Sequence, residues 1–104
     1  MYQLIFYVPS SHLESVKEAI FKEGAGNLRG YDHCCWQTLG TGQFRAGDSC
    51  NPFLGEIGEI HEEREWKVEC IVADDKIKRV VEALIEAHPY EVPGYSVMKS
   101  VDIL

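Results

Sequence analysis

Histidines and nearby carboxylates are the residues of this sequence best suited to bind a metal ion. His33 and His88 stand out because each has an acidic residue close by in sequence, Asp32 and Glu91 respectively. Imidazole and carboxylate groups are common ligands of zinc and copper. We therefore expect that any divalent metal, zinc or copper, binds weakly to His33, His88 and Glu91, drawn from one subunit or from two. The more common role of a histidine such as His88 is structural, because at a helix end its side chain can cap the last carbonyl groups.

The cysteines offer a second kind of chemistry, since a thiolate is a nucleophile. Adjacent cysteines bridge each other only with strain, and the sequence has no C-x-x-C pair of the zinc-binding or thioredoxin-like kind. We therefore expect reduced thiols that fill core or strand positions. A small thiol enzyme built on Cys34 or Cys35 and a histidine is the alternative, although Cys34 alternates with Trp36 in a strand-like stretch. The four cysteines are Cys34, Cys35, Cys50 and Cys70.

Two short motifs are similar to known sites but lack residues that those sites require. The run "HEERE" at 61–65 has Glu65 where a zinc-binding helix would carry its second histidine. The run "GTGQFR" at 40–45 lacks the third glycine of a dinucleotide-binding loop, and no helix follows it. We interpret the first as a solvated charge run and the second as a turn or bulge.

Composition predicts one globular domain over residues 1–104. Hydrophobic residues make up 45% of the 104 residues and charged residues 26%, which is ordinary for a packed core. The net charge of −7 repels phosphate backbones, so we expect no nucleic-acid partner. The longest apolar run, residues 4–8, is too short to cross a bilayer and has no signal-peptide pattern. We expect no membrane association and a cytoplasmic location.

Periodicity predicts the elements in the order strand, helix, strand, twice over. Residues 1–8 alternate as a strand, and Ser11 with Glu14 has the spacing of a helix capping box. Residues 32–45 are strand-like, and an irregular excursion is expected around residues 40–62. The clearest strand is "REWKVECIV" at 64–72.

The second half of the chain repeats this plan. Asp74 is placed to cap a helix with an apolar stripe, Pro89 ends that helix, and an alternating strand closes the chain. Two units with right-handed crossovers give an α+β fold of the ferredoxin-like split βαβ type, βαββαβ, with both helices on one face of the sheet. The other face then needs a partner surface for Ile5 and Tyr7, which predicts an oligomer.

A series of motifs along the chain resembles one known group. The last of them contains Tyr90, whose ring we expect at an edge with its hydroxyl in water. In chain order the motifs are "GNLRGYDHC" at 26–34, "GTGQFR" at 40–45, "NPFLGEIG" at 51–58, "VEC" at 68–70 and "HPYEVPGY" at 88–95.

The sequence resembles the PII/CutA-like domain inserted in YqfO, of the Nif-three-like proteins (dinuclear-metal proteins of the GTP cyclohydrolase I type 2-like family). It is more distantly similar to CutA, which shares a "HPYEVP" turn. The resemblance covers nearly the whole chain, with Gly94 where the insert commonly has alanine. It implies a PII/CutA-like fold and an oligomer, with a trimer favoured and a dimer next.

The resemblance also implies a role. The two metals of the YqfO-like proteins lie in flanking domains that this sequence does not contain, so their hydrolase-like chemistry is not expected here. We expect a non-catalytic binding or regulatory module that holds a divalent metal or a small ligand at subunit clefts. Two alternatives stay open. One is a small metal-dependent or thiol enzyme, and the other is an interaction subunit that docks on a separate Nif-three-like core protein.

Overall fold

Alternating side chains along the first strand set the architecture. Leu4, Phe6 and Val8 have no exposed surface, whereas Tyr7 between them is 41% exposed. Successive side chains of a strand point to opposite faces, so one face of this strand is core and the other is not.

The computed structural model of this protein describes residues 1–103. It is a four-stranded antiparallel sheet in the order β2-β3-β1-β4 with two helices, which confirms the predicted ferredoxin-like α+β fold. Strands β1 and β3 are central, and β2 and β4 are the edges. The elements are β1 (Tyr2–Pro9), α1 (Leu13–Lys22), β2 (Trp36–Arg45), β3 (Ile60–Val72), α2 (Ile77–Ala87) and β4 (Tyr95–Lys99).

Both helices bury one apolar stripe against the same side of the sheet. The core cluster contains Val16 and Ile20 of α1, Val80 and Leu84 of α2, and Leu4, Phe6 and Val8 of β1. Strand β3 contributes its own alternate residues, from Val68 to Val72, as predicted. The helices have 10 and 11 residues, and no helix within residues 1–103 is long and apolar enough to cross a membrane.

The two predicted helix caps are wrong. Helix α1 begins at Leu13 after a short 3-10 turn, and the Ser11 hydroxyl lies 2.8 Å from His12 Nδ1 instead of binding a helix amide. Helix α2 begins later than predicted, at Ile77, and its first flanking residue is Lys76.

Asp74 binds charged groups instead of capping α2. Its carboxylate pairs with the Lys99 ammonium and lies 2.6 Å from the amino group of Met1. The hydrogen bonds from these two cations lower the pKa of Asp74 to about 2. The residue therefore joins the start of β1 to the end of β4.

The predicted break at residues 40–42 is also wrong. Strand β2 runs without interruption, with Gly40 opposite Glu65 and Gly42 opposite Glu63. The irregular segment is therefore residues 46–59, shorter than the predicted 40–62. Cys34, predicted to lie within this strand, precedes it, since β2 begins at Trp36.

A candidate binding cleft on the uncovered sheet face

The face of the sheet opposite the helices carries large side chains in rows across the strands. Ile5 pairs with Glu69, which also pairs with Trp36, so these three share the outer face. Tyr7 and Lys67 form the next row by the same rule. Trp36 is 69% exposed and Tyr7 41%, so the described residues leave this face without a helical cover, as expected.

A cleft of about 660 Å³ lies at one end of this face. Strands β2 and β3 form its floor, and its sides come from the loop after β2 and from the turn between α2 and β4. Cavities of this size are in the range that holds small-molecule ligands. The residues that line it are Tyr7, Thr38, Leu39, Gly40, Thr41, Gly42, Gln43, Phe44, Arg45, Ala46, Cys50, Pro52, Phe53, Leu54, Glu65, Lys67, Tyr90, Glu91, Val92 and Gly94.

Two glycines keep the floor of the cleft flat. A Cβ atom added to Gly42 would lie 2.0 Å from Glu65 Oε1, so the Glu65 carboxylate occupies the space above this glycine. A Cβ atom added to Gly40 would meet nothing within 4 Å. Gly42 therefore leaves room for the Glu65 carboxylate where it now lies, whereas Gly40 leaves the space over the strand open.

The Glu65 carboxylate is also held by Tyr90. The Tyr90 hydroxyl donates a hydrogen bond of 2.7 Å to Glu65 Oε2. Burial of the phenol, together with this bond to the carboxylate, raises the pKa of Tyr90 above its usual value. The hydroxyl, which was expected to stay in water, is paired across the cleft with β3.

His88 fixes the turn that forms one wall of the cleft. It is buried, its Nδ1 accepts a hydrogen bond of 3.1 Å from the Tyr90 amide, and its Nε2 lies 2.7 Å from the Tyr7 carbonyl oxygen. Since Nδ1 is the acceptor, we assign the proton of the neutral ring to Nε2, which donates to Tyr7. Burial lowers the pKa of His88, which favours this neutral form. Its side chain binds β1 and does not cap the carbonyl groups of its own helix.

The charged groups of the cleft are unevenly paired. Glu65 accepts the Tyr90 hydroxyl, and Glu91 Oε2 accepts a hydrogen bond of 2.9 Å from the Asn51 amide. Lys67 and Arg45 take part in none of the ion pairs formed within residues 1–103. Glu65 and Glu91 form no ion pair among these residues either, so the cleft carries two charges of each sign, and each carboxylate accepts a hydrogen bond from a neutral donor.

The three predicted metal ligands lie in different settings. His33 is exposed, its Nδ1 is 2.9 Å from Asp32 Oδ1, and its ring packs 4.8 Å from the Phe21 ring. Both ring nitrogens of His88 are used by backbone groups, and Glu91 lies at the cleft. Among residues 1–103 no three histidine, cysteine or acidic residues come together as a metal site, so the structure of one chain does not assemble this set. Metal binding there stays a prediction.

Sequence reasoning missed the residues that form the cleft. It gave no role to Gly42, placed Glu65 in a solvated charge run, and assigned the glycines of "GTG" to a turn. A glycine inside a strand pattern often marks the close approach of another group, and this was the available signal.

Comparison with known proteins shows that the chain is similar to one segment of longer proteins. No protein-family model matches the sequence. Curated relatives with the name GTP cyclohydrolase 1 type 2 homolog are 39% identical over 95 residues in Halalkalibacterium halodurans and 37% over 97 residues in Mycobacterium tuberculosis. The matches cover 91% and 93% of this chain but 26% of each relative, so the chain spans about a quarter of their length.

Solved structures agree with this match. A Bacillus cereus protein related to NIF3 is 31% identical with a TM-score of 0.76, over 93% of this chain and 24% of that one. CutA1 from Pyrococcus horikoshii superposes with a TM-score of 0.71 at 19% identity, over 100% of this chain and 87% of that one. The PII-like protein CutA from Nostoc gives 0.68 at 19%, over 96% and 81%. The predicted resemblance is confirmed, and the last two comparisons concern the fold alone.

We predict that Gly42→Ala destabilises the protein and that Gly40→Ala does not. A methyl group at position 42 displaces the Glu65 carboxylate and breaks its bond to Tyr90, at a cost of about 1–2 kcal/mol in the free energy of unfolding. Urea unfolding at fixed protein concentration measures this difference. In a Tyr90→Phe protein, which lacks the bond to Glu65, Gly42→Ala should lower the free energy of unfolding by less. An equal loss with and without the Tyr90 hydroxyl would show that the broken bond is not the cause.

We predict that His88 makes the protein less stable in acid. Burial lowers the pKa of the folded ring, whereas an unfolded histidine gains a proton near its ordinary pKa of 6.5. Below that pH the unfolded state binds more protons, so the free energy of unfolding falls as pH falls, by at most about 1.4 kcal/mol per pH unit for one group.

Urea unfolding between about pH 7.5 and about pH 5 tests this. His88→Gln keeps a donor for the Tyr7 carbonyl but does not titrate, so its stability should depend less on pH than that of the wild type. His33→Gln removes an exposed histidine as the control. Identical pH profiles for wild type and His88→Gln would contradict the prediction.

Proposed function

We propose that this chain, which is homologous to one segment of the GTP cyclohydrolase 1 type 2 homologues and has the fold of the CutA proteins, is a non-catalytic oligomeric binding module. The observation that carries the proposal is the cleft of about 660 Å³ on the sheet face that no helix covers. It lies beside the apolar surface formed by Ile5, Tyr7 and Trp36. Tyr7 belongs to both, so ligand binding and subunit contact share a residue.

The ligand we propose is a small molecule with an apolar body and an anionic group. Aromatic and aliphatic side chains line the cleft, among them Phe53, Leu54 and Tyr90. Lys67 and Arg45 also line it, and neither has an ion-pair partner within residues 1–103. An anion placed near these two cations gains charge-assisted hydrogen bonds. Apolar pockets with a few convergent polar groups are typical ligand sites.

The uncovered face supports self-association. Trp36 and Tyr7 expose large aromatic surface on the face that also carries Ile5, and exposed aromatic side chains of this kind are typical of a protein interface. We propose that a second copy covers it, in a trimer as the PII/CutA resemblance implies, or else in a dimer. The cleft would then lie at a subunit boundary.

A non-catalytic role is consistent with how the titratable groups around the cleft are used. The imidazole of His88 binds two backbone groups, and the Glu65 carboxylate binds the Tyr90 hydroxyl. General acid or base catalysis needs such a group within reach of a substrate proton. We propose that these groups hold the walls of the cleft.

The four cysteines are free thiols, which supports the expected cytoplasmic location.

A second candidate is an interaction module that docks on a Nif-three-like core. The observation that favours it is the length of the relatives, in which the matching segment makes up 26% of the protein. In those proteins the segment is covalently joined to the rest. A docking role would use the same apolar face for a different partner.

We predict that the protein is an oligomer and that Trp36→Glu disrupts it. A carboxylate at this position on the outer face would be buried unpaired beside Glu69 on association, which costs several kcal/mol. Multi-angle light scattering should show a trimer, or a dimer, for the wild type and a monomer for Trp36→Glu. Ile85→Glu, at a 47% exposed position on α2, is the matched control and should assemble normally. A wild type that is monomeric at micromolar concentration sinks the proposal of self-association.

We predict that the cleft binds anilinonaphthalene sulfonate, a probe with an apolar body and one anionic group. Lys67→Met should weaken binding about tenfold, the value of a charge-assisted hydrogen bond. Gly40→Leu should block the cleft, since nothing lies within 4 Å above Gly40. Lys22→Met, at the far end of α1, is the charge control. Fluorescence titration measures the affinities, and circular dichroism confirms that each variant is folded. Equal affinity in all four proteins would place the probe elsewhere and contradict the proposed cleft.

A further inference from the structure

Two cysteines face each other at the other end of the β2–β3 pair. Strand β2 begins at Trp36 opposite Glu69, with Gln37 opposite Val68, so Cys35 directly precedes the paired residues and lies beside Cys70 when this register is continued by one step. Cys35 packs against the core cluster that contains Cys70, so both side chains lie on the helix side of the sheet.

The same two cysteines line a small cavity. It has a volume of about 340 Å³, and its walls include Cys34, Cys35 and Cys70. Cys70 is buried, whereas Cys35 is partly exposed. The Cys34 thiol donates to the Asp32 carbonyl oxygen at 3.6 Å, which directs it back into its own loop. Trp36 and Glu69 of the outer face also line it, so the cavity opens on that face at the edge of the sheet, and Cys35 is the partly exposed thiol beside it.

We propose that Cys35 and Cys70 form a redox-active pair that closes reversibly into a cross-strand disulfide. Residues directly opposite each other in antiparallel strands have Cα atoms about 4.5–5.5 Å apart. This separation is within the range of about 4.4–6.8 Å found in disulfides. The bond therefore needs rotation of two side chains and no change in strand pairing.

The oxidant is a peroxide, and the reaction balances in two steps. The Cys35 thiolate attacks one oxygen of hydrogen peroxide, the O–O bond breaks, and hydroxide leaves to give a sulfenic acid. The Cys70 sulfur then attacks the Cys35 sulfur; the S–S bond forms, the S–O bond breaks, and the Cys70 proton leaves with that oxygen as water. Two thiols lose two electrons, and one peroxide becomes two waters. A dithiol reductant reverses the change.

The different settings of the two thiols fit this order of events. Burial, together with the nearby Cys35, raises the pKa of Cys70 to about 12, so Cys70 is a poor first nucleophile. Cys35 is the more accessible of the two, and it reacts first. The disulfide would fix the start of β2, where Trp36 follows directly on the opposite face.

The test is treatment of the reduced protein with hydrogen peroxide, followed by intact mass and peptide mapping without reduction. We expect the loss of two hydrogens, two fewer titratable thiols, and a peptide that joins Cys35 to Cys70. Cys35→Ser should abolish this product. Cys70→Ala should do the same, and Cys70→Val serves if the alanine variant does not fold. Cys34→Ser and Cys50→Ser are the matched controls and should keep the product.

The outcome that overturns the proposal is equally specific. A bond mapped to Cys34 and Cys35, a bond only between molecules, or a sulfinic acid at Cys35 with Cys70 still a free thiol would each exclude the pair. Dithiothreitol should restore both thiols and the original mass. A product that persists after this reduction also overturns the proposal, because the pair is then not reversible.

Discussion

The packing of one face of β1 and β3 against both helices determines the rest of this molecule. Because Leu4, Phe6 and Val8 are committed to that core, the residues between them must point the other way. A two-layer fold of this kind has helices for only one side of its sheet. The cleft and the exposed aromatic side chains are therefore consequences of the same alternation that forms the core.

Three hydrogen bonds between polar groups link α2, β1 and β3. The His88 imidazole joins the end of α2 to β1 through the Tyr7 carbonyl, and it also orients the Tyr90 amide. Tyr90 then reaches β3 through Glu65. We call this chain of three hydrogen bonds the relay. Hydrogen bonds are directional, so the relay fixes the position of the turn between α2 and β4 relative to the strands more closely than apolar packing does. The shape of the cleft depends on this relay, although none of its bonds belongs to the sheet.

Local patterns in the sequence predicted the elements whose signal is repeated over several residues. The alternation in β1 and β3 and the apolar stripe of α2 each rest on many side chains, so single exceptions do not obscure them. The errors fell on positions decided by one long-range contact. Asp74 has the residue type of a helix cap, but two cations from distant parts of the sequence compete for its carboxylate.

The same explanation applies to the candidate site. Gly42 and Glu65 are far apart in sequence, and only the strand register brings them together. The "HPYEVPGY" run was correctly interpreted as the end of a helix and a turn, because Pro89 forces that locally. That its histidine and first tyrosine bind β1 and β3 depends on tertiary packing, which no local spacing encodes.

The β2–β3 hairpin is longer than the sheet that supports it. Strand β1 reaches only as far as Pro9 opposite Glu65, so residues 60–64 pair with β2 alone. An isolated two-stranded ribbon is marginally stable in water. Its amide hydrogens can therefore exchange with solvent through local fraying, while those of Val68 to Val72 require the whole domain to open. One end of β3 can therefore open locally, whereas the other end opens only when the whole domain unfolds. The cleft lies where these two parts of the strand meet.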